Sequence, residues 1–171
     1  MGQNSSSNSK FTLDNQGIRV YNTSVKRRKE ITAMSVKKLI KKFCAPFKIK
    51  VRKADEWEAY EDEVHFPADP DNYYAVGFME TINRIYPDIK ATEFTWSLLH
   101  EVGHIKTWNL FTKKAWKKYE KTAPYIHDIE LYFRVPQERV ATDWAAEYIR
   151  KHPKKIAKFE KAIRKEIGEI R

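Results

Sequence analysis

Cysteine, secretory-type apolar segments and membrane-spanning runs are scarce or missing in this chain. Only Cys44 among the 171 residues is a cysteine, which excludes an internal disulfide and a zinc site built on cysteines. No stretch approaches the ~18 apolar residues that a transmembrane helix needs. Residues 1–10 are rich in Gln, Asn and Ser and lack the apolar core of a secretory signal. We therefore expect a cytoplasmic protein without a membrane partner, in which histidines and carboxylates must hold any metal.

The net charge of +10 is unevenly distributed along the chain. Residues 26–53 contain twelve Lys and Arg against one acid, and residues 150–171 contain nine against three. Residues 72–149 balance at ten against ten. Basic flanks of this kind can attract nucleic acid or an acidic protein partner. The ordinary alternative is that they are solvated, lysine-rich helix surfaces.

The apolar pattern predicts a helix, then strands, then further helices, which is an α+β layout. Apolar residues recur at helical spacing over residues 35–43, and residues 48–52 alternate as a strand does. Aromatic and β-branched residues favour a strand or hairpin over residues 57–66 and a second one over residues 73–86. Helical patterns then begin near Thr92, Lys113, Pro136 and Pro153. We expect a disordered tail at residues 1–10, one domain at 11–151 and a basic amphipathic helix at 152–171.

The segment at residues 100–104 reads His-Glu-Val-Gly-His and is the part of the sequence that most strongly indicates a metal site. Residues four apart lie on one face of a helix, so His100 and His104 can reach the same metal ion. Glu101 projects about 100° away from His100 and can instead take a proton from a metal-bound water. This pattern is typical of metal-assisted hydrolases. Gly103 costs helix stability, about 1 kcal/mol relative to alanine, and so indicates close packing at that turn.

A catalytic zinc site normally has three protein ligands, and the sequence offers three candidates for the third. Glu138 lies in the first turn of a predicted helix, in line with the small residues Ala141 and Ala145. Asp143 points roughly 140° away from Glu138 on that helix, so both cannot face one ion. His127 would give a three-histidine site similar to that of the SprT-like peptidases. We expect Glu138 to be the ligand.

Four segments form an ordered pattern: Gly77-Phe-Met, Asn83-Arg-Ile-Tyr, the stretch from Phe94 to His104, and the stretch from Glu138 to Ile149. Together they resemble the ImmA/IrrE type of small zinc peptidases, which are often encoded by phages or mobile elements. The resemblance covers about residues 35–151. It implies a gluzincin-like zincin fold with a small mixed sheet, with His100, His104 and Glu138 as zinc ligands and Glu101 as the base. It also implies an endopeptidase acting on an intracellular protein, such as a regulator.

Three positions depart from the family pattern as the resemblance describes it. They are Val140, where a second acid is frequent, Thr142, where Asp or Asn is frequent, and Trp144, where the aromatic is usually Phe. These changes leave the expected ligands intact but alter the groups around them, which tune metal affinity.

We expect His127, Tyr132 or Arg134 to donate a hydrogen bond to the oxyanion that forms in the transition state of hydrolysis. The alternative function is a zincin-fold binding, regulatory or virion-associated module that contacts nucleic acid or a protein through the basic flanks.

Overall fold

Two packed helices form the framework of the computed structural model, which describes residues 34–69, 77–122 and 128–167. These helices are α3 and α6, and α3 also packs against strands β2 and β3, so it lies between the sheet and α6. The elements in chain order are α1 (34–44), β1 (Lys50–Ala54), β2 (Glu58–Tyr60), β3 (Glu63–Pro67), α2 (Phe78–Ile85), α3 (Glu93–Thr107), α4 (Lys113–Thr122), α5 (Ile129–Tyr132), α6 (Pro136–Lys151) and α7 (Pro153–Ile167).

The sheet has three strands in the described residues, in the order β1-β3-β2. The middle strand β3 runs parallel to β1, with Val51 opposite Val64, and antiparallel to β2, with Ala59 opposite Val64. Val51, Val64 and Phe66 are buried. The alternating pattern therefore predicted β1 correctly, and the residues around Trp57 form the predicted hairpin. The small mixed sheet and the α+β class are confirmed.

The second predicted hairpin is wrong over the part that the structure describes. Residues Phe78–Ile85 form helix α2, which begins after Gly77 at φ 75°, and residues 73–76 lie outside the described ranges. The buried side chains are Phe78, Thr81 and Ile82, a spacing that belongs to a helix. The β-branched composition of this segment suggested strands, but the burial of one helical face outweighs weak intrinsic preferences.

Helix α3 begins as predicted, because the Thr92 side chain accepts a hydrogen bond from the amide of Thr95 and caps the first turn. The helix is buried on most sides rather than along one stripe. Phe94, Trp96, Leu98 and Val102 are almost fully covered. A helix enclosed in this way holds its polar side chains in a water-poor interior.

Helix α7 belongs to the same hydrophobic core as the rest of the chain. Ile156, Phe159 and Ile163 are buried, and the Phe159 ring lies 4.2 Å, between centroids, from the ring of Phe43 on α1. The apolar stripe of this basic helix is therefore core, and its lysines are exposed except Lys155, which donates to the Tyr148 hydroxyl. The predicted boundary between residues 151 and 152 stays a prediction about the domains. Among the described residues, no helix has the length and apolarity that crossing a membrane requires.

Candidate metal centre

Side chains from α3 and α6 bring three ligand atoms to one point. His100 Nε2 lies 2.8 Å from Glu138 Oε2, and His104 Nε2 lies 3.3 Å from the same oxygen. The two Nε2 atoms are 3.1 Å apart. All three residues are buried, and Glu138 is completely inaccessible to solvent. Two imidazole nitrogens and a carboxylate oxygen thus converge in a water-poor pocket that could hold a metal ion.

The donor set fits zinc in both chemistry and spacing. Zinc takes imidazole nitrogen and carboxylate oxygen at about 2.0–2.2 Å in a tetrahedral arrangement, which sets the ligand atoms roughly 3.3–3.6 Å apart. The observed separations of 2.8, 3.1 and 3.3 Å approach these values, so a small outward shift of the side chains would admit the ion. Three protein ligands would leave the fourth position for water or substrate.

Thr142 determines how His100 presents its ring. The Thr142 hydroxyl donates to the backbone oxygen of Glu138 at 2.7 Å and lies 3.0 Å from His100 Nδ1. Because the single hydroxyl proton is already committed, the threonine oxygen accepts from Nδ1–H. Nε2 is therefore the nitrogen of His100 that faces the metal position; it contacts Glu138 Oε2 in this structure and would offer its lone pair to a bound ion. This is the outer support that many metal-binding histidines receive from a carboxylate or carbonyl.

The close approach of α3 and α6 is what lets ligands on two helices meet. A Cβ placed on Gly103 would lie 2.4 Å from the backbone oxygen of Ala141, a distance that real contacts do not show. Ala141 and Ala145 are fully buried on the facing side of α6. The predictions that Gly103 and the alanines permit close packing are confirmed.

Glu101 occupies the turn between the two histidines but is not one of the three converging ligands. Its side chain is half-buried, and burial raises its pKa against the opposing effect of His100 and His104. The charge of Glu58 on β2 raises the pKa of Glu101 as well, so strand β2 borders this side of the centre. A buried carboxyl beside a metal-bound water is suited to accept and release a proton.

Two tyrosines complete the surroundings of Glu138. The Tyr119 hydroxyl on α4 donates to Glu138 Oε1, the oxygen that the histidines do not contact. Tyr132 at the end of α5 lies close enough for the charge of Glu138 to raise the pKa of its phenol. Burial, followed by the charge of Glu138, raises the pKa of both phenols, so both remain protonated donors.

The contact between His100 and Glu138 shifts the pKa of both side chains. Burial alone would lower the pKa of His100, but the hydrogen bond and charge of Glu138 outweigh it and raise that pKa. Burial would raise the pKa of Glu138, but its hydrogen bonds with His100 and His104 hold it far below its usual range. The centre therefore contains an ionised carboxylate.

The structure describes two of the three remaining candidate site residues, Asp143 and Arg134. Asp143 lies away from the centre, about half exposed, where it accepts from Tyr86 and Arg139. Arg134 is exposed and lines a cavity of about 280 Å³ with Arg84 and Arg139, and its part in the metal centre stays a prediction. His127 lies outside the described residues.

Tyr119 is the residue that the sequence did not single out. Trp116 and Tyr119 stand three positions apart among lysines, which marks the packed face of α4, but nothing in that spacing relates α4 to the histidines. The role of Thr142 was equally hidden, since only its departure from the family pattern was visible.

Comparison of the chain with protein-family profiles, curated proteins and solved structures finds no match.

Proposed function

We propose that this protein is a zinc-dependent endopeptidase of the zincin type, similar to the ImmA/IrrE peptidases, that cleaves an intracellular protein. The observation that carries the proposal is the convergence of His100, His104 and Glu138 on one point, with Glu101 beside it on the same helix. A structural zinc site is normally closed by four protein ligands. Among the described residues the set has three ligands and an adjacent carboxyl, which favours catalysis instead.

Each polar group of the centre has a role in hydrolysis of an amide bond. Bound zinc would supply a Lewis acid and lower the pKa of water towards about 7. Glu101 takes the proton from the attacking water and passes it to the nitrogen of the leaving amine. Thr142 keeps the His100 Nε2 lone pair directed at the metal position. Tyr132 would donate to the oxygen that becomes negative as water adds to the carbonyl, whereas the single hydroxyl proton of Tyr119 is already donated to Glu138.

A polypeptide substrate also suits the edge of the sheet. Within the described residues β2 pairs only with β3, which leaves its other edge free to bind an extended chain through backbone hydrogen bonds. Glu58 on this strand acts electrostatically on Glu101, so a chain bound there would pass close to the general base.

The metal content tests the first half of the proposal. We expect about one zinc per chain by elemental analysis of protein purified without added metal, and much less in His100→Ala. The matched control is His152→Ala, which removes an exposed histidine at the end of α6. Wild-type protein that is metal-free and also fails to bind added zinc would contradict the site.

Turnover that depends on Glu101 tests the second half. Zinc-loaded wild type and Glu101→Gln are incubated with a peptide library from a whole proteome, and newly formed amino termini are identified by mass spectrometry. The glutamine can hydrogen-bond water but cannot accept its proton, so Glu101→Gln should keep zinc and lose cleavage. If wild type produces no termini beyond those of the variant, the alternative of a binding module with a structural metal gains.

A further inference from the structure

An exposed aromatic surface lies directly beside the candidate metal centre. Trp108 follows the last turn of α3 and stacks on Trp116 of α4, with ring centroids 4.0 Å apart and planes inclined by 14°. The Trp116 ring lies 6.3 Å from that of His104. Trp108 is 46% exposed and Leu110 is 70% exposed. Together with Phe111, 5.8 Å from Trp116, these residues form what we call the aromatic wall.

The aromatic wall is held in place by contacts to the centre itself. Trp116 Nε1 donates to the backbone oxygen of Trp108 at 3.0 Å, which joins α4 to the end of α3. Gln137, next to Glu138, donates to the backbone oxygen of Ala115 at 3.3 Å. Tyr119 on the same helix donates to Glu138. Helix α4 is therefore attached to the end of α3 and to the first turn of α6, the two helices that carry the candidate ligands.

The outer face of α4 carries a concentration of positive charge. Its ten residues include five exposed lysines and only one acid, Glu120. Within the described residues, none of these five lysines forms an ion pair with a carboxylate. Lys113 and Lys117 stand four residues apart and so share one side of the helix, next to Trp116. Exposed charges of this kind act on a bound chain that passes within about a Debye length of them, which is about 8 Å at physiological salt.

We propose that the aromatic wall and the lysines of α4 select the substrate of this peptidase: a polypeptide segment in which a large apolar residue lies close to acidic residues. This inference rests on the proposed function and adds the substrate class to it. An apolar side chain that packs against the exposed Trp108 and Leu110 binds favourably, because water is removed from both apolar surfaces. The lysines attract carboxylates and repel basic chains. Because Trp116 contacts His104, a side chain bound on the wall lies within a few residues of the bond that is cut.

Binding to the zinc-loaded Glu101→Gln protein tests the selection without requiring turnover. The probes are a short fluorescent peptide with Leu-Phe followed by a run of glutamates, and its counterpart with lysines in place of the glutamates. We expect the acidic peptide to bind at least about tenfold more tightly by fluorescence anisotropy. The preference should disappear in Lys113→Glu/Lys117→Glu, and Leu110→Ser should weaken the binding of both peptides.

The matched control reverses the same charges elsewhere. Lys154 and Lys158 are also exposed, four residues apart and near the beginning of a helix, but they lie on α7. The double change Lys154→Glu/Lys158→Glu should leave the preference intact. Thermal unfolding and zinc content are measured for every variant, so a loss of fold is recognised. Leu110→Ser changes a side chain that is mostly exposed to solvent. It remains as a test of the surface if Lys113→Glu/Lys117→Glu does not fold.

The outcomes separate this inference from the proposed function. Equal binding of both peptides, or an equal effect of the α7 control, would overturn the selection while leaving hydrolysis untouched. Tighter binding of a single-stranded oligonucleotide than of the acidic peptide would overturn it too, and would make α4 a nucleic-acid surface. If the acidic peptide is preferred but wild type cuts no peptide, the surface stands as a protein-binding site and the peptidase assignment fails.

Discussion

A single hydroxyl accepts from the Nδ1–H of one candidate metal ligand, His100, and its removal gives a test at the scale of a residue. Thr142→Val keeps the shape of the side chain but removes the acceptor of His100 Nδ1–H. We expect zinc affinity to fall about 10–100-fold, the usual effect of losing an outer partner. Chelator competition measures the affinity. Thr142→Ser retains the hydroxyl and should bind zinc close to the wild-type level; an unchanged affinity in Thr142→Val would show that the hydroxyl does not orient the ring.

The assignment of the third ligand is also a question about individual residues. Glu138→Gln preserves volume but replaces an ionised carboxylate with a neutral amide, so it should lose more zinc affinity than the roughly 10–100-fold of an outer partner. Asp143→Asn, one and a half turns further along α6, is the control. It loses the charge that pairs with Arg139 and should retain zinc. Retention of zinc in Glu138→Gln with loss in Asp143→Asn would reverse the assignment.

At the scale of elements, the distance between α3 and α6 sets the geometry of the centre. Gly103 faces the backbone of Ala141, which cannot move aside as a flexible side chain could. In an isolated helix Gly103→Ala would stabilise by about 1 kcal/mol. Here the added methyl must separate the helices, and we expect a net destabilisation of about 1–3 kcal/mol, as for other overpacked cores.

Urea denaturation measures the sign of this effect. Zinc affinity should decline with stability, because His100 and His104 lie on one helix and Glu138 on the other. A stabilised Gly103→Ala would mean that the helices are not in contact at this turn. Thr81→Ala, a change of a buried residue on α2 away from the contact, controls for general loss of stability: it should leave zinc affinity nearly unchanged.

At the scale of the whole molecule, α7 completes the core rather than extending from it. Ending the chain at His152 removes Ile156, Phe159 and Ile163, whose burial contributes roughly 5–9 kcal/mol. That is comparable with the whole stability of a typical domain, about 5–15 kcal/mol. We therefore expect the shortened protein to be largely unfolded, whereas Lys154→Glu/Lys158→Glu should fold.

The single cysteine reports this unfolding directly. Cys44 is fully buried, and burial raises the pKa of its thiol to about 12, so very little reactive thiolate exists in the folded protein at neutral pH. A thiol-specific reagent should react slowly with the folded full-length chain and rapidly with the shortened one. Rapid reaction of the full-length chain under native conditions, or protection in the shortened one, would contradict the assignment of α7 to the core.

The sequence by itself determined whatever follows from spacing within one helix. Residues 100 and 104 must share a face, Glu138 must share a face with Ala141 and Ala145, and Asp143 must point away, because the helix repeats every 3.6 residues. The cap at Thr92 and the beginning of α6 at Pro136 are local in the same sense. These features needed no knowledge of the rest of the chain.

Only the tertiary structure decided what each face packs against. Tyr119 donates to Glu138, Thr142 supports His100, Arg134 faces another cavity and α7 closes the core. The segment Phe78–Ile85 became a helix because its apolar positions fit one buried helical face, despite a composition that favours strands. Periodicity reveals that a face is buried, but contacts between elements distant in sequence depend on how the entire core fills its volume.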